Sequence, residues 1–343
     1  MTLVPATVLT GFLGAGKTTL LKRILSEQHG QRIAVIENEF GEENVDGEIL
    51  VADTREQIIQ LSNGCICCTI RDDLRSTLRN LVQKRRTGEL QFERVVIETT
   101  GLADPGPVAQ TFFLDADIAT SYLLDAILTL VDAKHAALAL NDRQEARRQV
   151  GFADHIFISK TDLVTKDELD ALSRRLARMN LRATQKAVHF GEVPISEVFD
   201  LHSFNLNATL DIDSAFLEDA GSDHAHNCRT DGAHCDHSVH GHHHDDDVMS
   251  FAFRSDRAFD QSKLGELLGA IVNSYGPTML RYKGILNIDG TQRKVIFQGV
   301  HQLMSTDLGP IWGADEKRTS KLVFIGIQLP REKFMHGLEQ CLI

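Results

Sequence analysis

The sequence predicts an α/β fold built on a mostly parallel sheet, followed by a smaller α+β unit with an antiparallel sheet. From residue 4 to about 190, short β-branched runs alternate with amphipathic helical periods, the pattern of successive βαβ units. From Val248 onward, strands alternate apolar and polar residues around a single helical period, as half-buried antiparallel strands do. At 343 residues the chain is long enough for two domains, and its apolar fraction allows an ordinary core.

In order, VPATVLTG, RIAVIENEF, RVVIETTG, AILTLVDA and HIFISKTD read as buried strands of the first unit, each bounded by glycine or polar residues. This unit is expected to span 1–202. Over 203–247 large apolar residues are few, and eight histidines fall between His224 and His244, so a flexible His-rich linker is expected. The second unit, 248–343, contributes FAFRSD, a helix around Leu264–Val272, then RYKGILNID, RKVIFQGV and KLVFIGIQL.

The net charge of −12 argues against a nucleic-acid or anionic-membrane partner, since phosphate binding needs a basic face. The most basic stretch, the helix over Arg71–Arg86, reads as a solvated face. The amino terminus lacks a cleavable leader pattern and no apolar run approaches a membrane span, so a cytoplasmic protein is expected.

Between the first strand and first helix lies Gly11-x-x-x-x-Gly16-Lys17-Thr18, in the context a phosphate-binding P-loop requires. Its glycines let backbone N–H groups close around phosphates, and the helix dipole adds positive potential. Lys17 is expected on the β and γ phosphates and Thr18 on Mg²⁺. Glu98, at the end of RVVIE, is expected to help hold Mg²⁺ or its water, and the Gly101 amide to meet the γ phosphate. A helix-side cap is the competing role for Glu98.

Ser159-Lys160-Thr161-Asp162 is a variant of the Asn-Lys-x-Asp guanine motif, with Ser in the first position. A carboxylate at Asp162 can accept from both the ring N–H and the 2-amino group of guanine, whereas adenine presents another acceptor there. GTP and GDP are therefore the expected nucleotides.

Cys65, Cys67 and Cys68 crowd four positions of LSNGCICCTI, too close to bridge one another without strain. With a carboxylate from Glu37, Glu39 or Glu42 they suit Zn²⁺, with Co²⁺ or Ni²⁺ as competitors. A buried apolar cluster and a Cys65–Cys68 redox switch are the alternatives.

Taken together, GFLGAGKTTLL, ENEFGE, NGCICC, ETTGLADPGP, SKTD and the terminal YKG, FQGV and VFIGIQ segments resemble the CobW-type family of P-loop GTPases. The resemblance runs over nearly the whole chain outside the His-rich segment. It implies a P-loop domain like that of the signal-recognition-particle GTPases, a CobW C-terminal domain, slow GTP hydrolysis, and metal insertion or homeostasis for client proteins. It places Gly11, Phe12, Leu13, Gly14, Ala15, Gly16, Lys17, Thr18 and Thr19 in the nucleotide loop, Thr100 near the γ phosphate, and Lys160 and Asp162 at the base. It also assigns Cys65, Cys67 and Cys68 to metal, with Glu37 and Glu42.

The reading is thus a GTP-hydrolysing metallochaperone whose nucleotide cycle gates metal delivery to a client metalloprotein. A metal- or redox-sensing regulatory GTPase and a passive storage protein are the alternatives, and a homodimer is compatible with the sequence. No water-positioning glutamine or arginine finger is evident, so intrinsic turnover should be slow. The histidines, with Cys228 and Cys235, could form a second, weaker metal reservoir.

Overall fold

The computed structural model describes residues 3–27, 30–38, 57–61, 70–204 and 247–343. Its first part is a seven-stranded, all-parallel sheet with strand order β3-β2-β4-β1-β5-β6-β7. The strands are β1 Val4–Gly11, β2 Ile33–Asn38, β3 Gln57–Leu61, β4 Arg94–Glu98, β5 Tyr122–Asp132, β6 His155–Ser159 and β7 Thr184–Ala187. The five strands expected from sequence are all present. β3 and β7 were not anticipated: each is short and lies at a sheet edge, and β7 (TQKA) has no apolar run to announce it.

Helices cover both faces: α1 Lys17–Ser26, α2 Ile70–Thr87, α3 Pro105–Leu114, α4 Ala116–Ala119, α5 Ala136–Asp142, α6 Gln144–Phe152 and α7 Lys166–Met179. α2 is more than a solvated face. Leu74, Leu78 and Leu81 recur at helical spacing and are buried, while Arg75 and Arg79 reach the buried Asp115 at 2.8 and 2.9 Å. α7 starts with a capping box between Thr165 and Glu168.

The second part is a five-stranded antiparallel sheet of order β11-β10-β9-β12-β8, formed by β8 Val248–Ser255, β9 Met279–Leu286, β10 Arg293–Val300, β11 Leu303–Ile311 and β12 Ser320–Ile327. Helices α8 Gln261–Tyr275 and α9 Arg331–Gln340 pack on one face over a core of Phe251, Phe253, Phe259, Phe297, Phe324 and Phe334. β11 was missed because it is an edge strand with mostly exposed side chains, so no alternation marks it.

The other face of this sheet shares a core with the first part. Val248, Leu280, Val300, Val323 and Ile325 join Phe152, Val150 and Leu176 in one cluster. At the centre of the seam Asp154 accepts from Arg281 Nη1 at 2.7 Å and from the Ile127 amide at 2.8 Å, with Arg182 Nη2 at 3.2 Å. The chain stays packed through Phe204, whose ring lies 4.1 Å under the Arg281 guanidinium carbon.

Lys283 is buried on the same sheet face as Arg281. Burial first, then the charges of Arg182 and Arg281, lower its pKa to about 7, with Asp154 opposing. The unfolded chain therefore binds this proton more readily than the folded one. The expected outcome is a contribution to stability that rises between about pH 7 and the ordinary lysine range and is absent below it. Denaturant unfolding across that range should lose this slope in Lys283→Met.

Candidate functional site

β1 lies in the middle of the parallel sheet, between β4 and β5, and its carboxyl end opens into the phosphate loop, where doubly wound sheets bind ligands. The loop needs its glycines. Gly14 and Gly16 have φ of 74° and 101°, and Gly16 caps α1. At Gly11 (φ 141°) a Cβ would sit 2.3 Å from the Leu130 carbonyl oxygen, which explains glycine at the first motif position.

Lys17 is buried at the start of α1, and its Nζ donates to the Gly11 carbonyl at 2.9 Å and to that of Phe12 at 3.4 Å. Its pKa is lowered by burial and partly restored by Glu98. The Thr18 hydroxyl donates to Glu98 Oε1 at 2.9 Å. The two residues most expected around Mg²⁺ are thus adjacent, and their hard oxygens suit that ion. Glu98 ends β4 rather than capping a helix.

The following loop closes over the phosphate loop. A Cβ at Gly101 would lie 2.6 Å from the Leu13 amide nitrogen, so only glycine permits this approach. Thr99 is tied to β1 through its hydroxyl bond to Thr10 at 2.9 Å, and Thr100 accepts from the Ala103 amide. Gln149 of α6 donates to the Gly101 and Ala103 carbonyls at 3.1 and 3.0 Å. This clamp was not visible in the sequence, because a buried glutamine inside an amphipathic helix carries no motif.

At the end of β6, Ser159 explains its own departure from asparagine. Its buried hydroxyl donates to the Ala15 carbonyl at 2.7 Å and fastens the base-side strand to the phosphate loop. Lys160 adopts a left-handed backbone (φ 55°), and its ammonium pairs with Asp132 at 2.7 Å. Burial would raise the Asp132 carboxyl, but hydrogen bonds from Lys160 and His135 hold it below its ordinary range. Asp132, the last residue of β5, was overlooked although it ends the strand AILTLVD. Asp162 follows in a 3₁₀ turn, half exposed, with His189 Nδ1 at 3.7 Å.

Among the predicted metal ligands, Glu37 is described, near the end of β2 and in register with Glu98 on the adjoining strand β4. β3 ends alongside it, with Leu61 opposite Asn38, four residues before Cys65. Glu42, Cys65, Cys67 and Cys68 lie outside the described residues, as do Glu39, the eight histidines of His224–His244, Cys228 and Cys235. Among the described residues no group of three or more His, Cys, Asp or Glu side chains is placed to hold a metal, and no helix is long and apolar enough to cross a membrane.

Residues 5–186 match the family described as CobW/HypB/UreG, nucleotide-binding domain, and 248–342 match the cobalamin synthesis protein cobW C-terminal domain. The chain is 41% identical over 333 residues to the zinc chaperone YjiA of Escherichia coli, covering 96% of each chain. It is 34% identical to the zinc chaperone CobW of Pseudomonas aeruginosa, over 99% of this chain and 92% of that one. Its structure resembles the crystal structure of Zn(II)-bound YjiA GTPase from E. coli with a TM-score of 0.78 at 36% identity, covering 100% of both chains. On sequence, domain order and structure together, the chain belongs to the CobW/HypB/UreG family of nucleotide-binding proteins and carries the CobW C-terminal domain.

Proposed function

We propose that this protein is a GTPase metallochaperone that takes zinc as cargo, binds it at the Cys65-x-Cys67-Cys68 motif with Glu37 or Glu42, and couples its release to the GTP cycle. The relatives named zinc chaperones support this reading. The observation that carries the coupling is the register of Glu37 with Glu98. Neighbouring strands lie about 4.8 Å apart, so a carboxylate assigned to zinc and one assigned to the Mg²⁺–nucleotide stand side by side at one sheet edge.

In this scheme Lys17 exchanges its two loop carbonyls for the β and γ phosphate oxygens, and Thr18 and Glu98 hold Mg²⁺, directly or through its water. Bound Mg²⁺ supplies charge neutralisation between the phosphates. The Gly101 amide meets the γ phosphate, so its loss on hydrolysis frees the 98–101 loop next to β2. Transfer of zinc to an apo-client that requires hydrolysable GTP tests delivery; nucleotide-independent loading would indicate storage instead.

Two substitutions probe the assignment. Glu98→Gln should raise the Mg²⁺ concentration needed for half-maximal GTP hydrolysis and lower kcat while GDP binding without Mg²⁺ changes little. In Asp162→Asn the amide presents one acceptor and one donor, matching the ring N–H and 2-oxo group of xanthine. Preference for GTP over XTP should fall by about 10–100-fold, the worth of a charge-assisted hydrogen bond. Competition between the two nucleotides reads this directly, and unchanged selectivity would remove Asp162 from the base site.

A further inference from the structure

At the seam between the two parts lies a cavity of about 390 Å³, within the size range of small-molecule sites. It sits near the amino ends of β6 and β7, the sheet edge opposite the phosphate loop, and is separate from the proposed GTP and zinc sites. Phe113, Phe204 and Val300 supply its apolar lining, and Arg182 and Arg281 line it together with Gln298.

The charge arrangement is unusual for a chain of net charge −12. Arg182, Arg281 and the neighbouring Lys283 are buried or largely buried, and one carboxylate, Asp154, faces them. The two guanidinium groups carry roughly ten N–H donors. Their protein acceptors are Phe152 O and Asp154 Oδ1 for Arg281, and Ser203 O and Asp154 Oδ1 for Arg182. Among the described residues the other N–H groups have no acceptor, and the side chains that carry them border the cavity. Buried cations in excess of their counter-charge are costly, and a planar oxyanion would satisfy the open guanidinium edges in pairs.

We propose that this interdomain cavity is a binding site for a small organic anion, a carboxylate or phosphate carried on an apolar body, held by Arg182 and Arg281 beside the contacting Phe113 and Phe204 rings. The oxyanion takes the guanidinium donors left open by Asp154, and the aromatic walls take the body.

The test is calorimetric titration of benzoate and of phenyl phosphate into the full-length protein saturated with Mg²⁺–GDP, so that the nucleotide site is closed to both. Benzyl alcohol serves as the uncharged control. At least one anion should bind at millimolar concentration or below, the alcohol should not, and which anion wins distinguishes carboxylate from phosphate. Arg182→Gln should weaken binding at least about tenfold. Ser305→Trp, a change on the exposed edge strand at the cavity wall that leaves every charge in place, should do the same by obstruction. Absence of binding by both anions, or binding unaffected by both substitutions, overturns the proposal and leaves the arginines as an interdomain clamp only.

Discussion

Replacing Lys17 by alanine should lower kcat/KM for GTP hydrolysis by about 10²–10³-fold, the scale for removing one preorganised donor from a site of developing charge. In the described structure the ammonium is held at the loop by the Gly11 and Phe12 carbonyls, close to where the phosphates would lie. Burial already lowers its pKa, so an incoming phosphate gives the charge a partner that the protein alone supplies only weakly, through Glu98. Alanine removes the ammonium from the phosphates and leaves the Gly11 carbonyl without its donor, so GDP affinity should fall as well. Steady-state hydrolysis and fluorescent-nucleotide titration check both effects. A loss below about fivefold would mean that Lys17 does not contact the phosphates in the transition state.

The largest stability effect is expected at Asp154. This carboxylate is almost wholly buried, accepts from the Ile127 amide, and faces Arg281 and Arg182 from both parts of the chain. Burial pushes its pKa up, but the two arginines and the amide hold it below the ordinary carboxylate range. Asp154→Ala leaves two buried cations without their shared counter-charge, a loss of about 3–5 kcal/mol by the usual cost of breaking a buried ion pair. Equilibrium unfolding in urea measures it. Because the folded pKa is depressed, the stability Asp154 confers is present at neutral pH and is lost as pH falls through that folded value. The acid limb of the wild-type stability profile should therefore flatten in the variant.

The central parallel strands are legible in the sequence because each is buried on both faces, which forces continuous apolar runs rich in β-branched residues and bounded by glycine or polar residues. The phosphate loop was legible for a related reason. Gly11, Gly14 and Gly16 are imposed by backbone geometry, so the loop shows in the sequence as a fixed spacing of glycines before Lys17 and Thr18. Edge strands β3, β7 and β11 carry no comparable constraint and leave no such signal in the sequence. Asp132, Gln149 and Asp154 are illegible for another reason: each acts through partners distant in sequence, and a single polar residue in or beside a strand or helix has many ordinary uses. Ser159 shows the converse. Set against the guanine motif it weakened the match, yet its hydroxyl ties that strand to Ala15 of the phosphate loop.

The coupling of nucleotide to metal is the claim on which the functional account rests, and linkage makes it measurable from either side. If GTP tightens zinc binding by some factor, zinc must tighten GTP binding by the same factor. The decisive measurement is a competition titration of Zn²⁺ into the protein with and without Mg²⁺ and a non-hydrolysable GTP analogue, repeated on the variant with Cys65, Cys67 and Cys68 all changed to serine. With nucleotide-gated binding, the analogue should tighten zinc binding by at least about tenfold, in the range of ordinary allosteric couplings, and the triple variant should lose this gain. Equal zinc affinity in the two nucleotide states would contradict it.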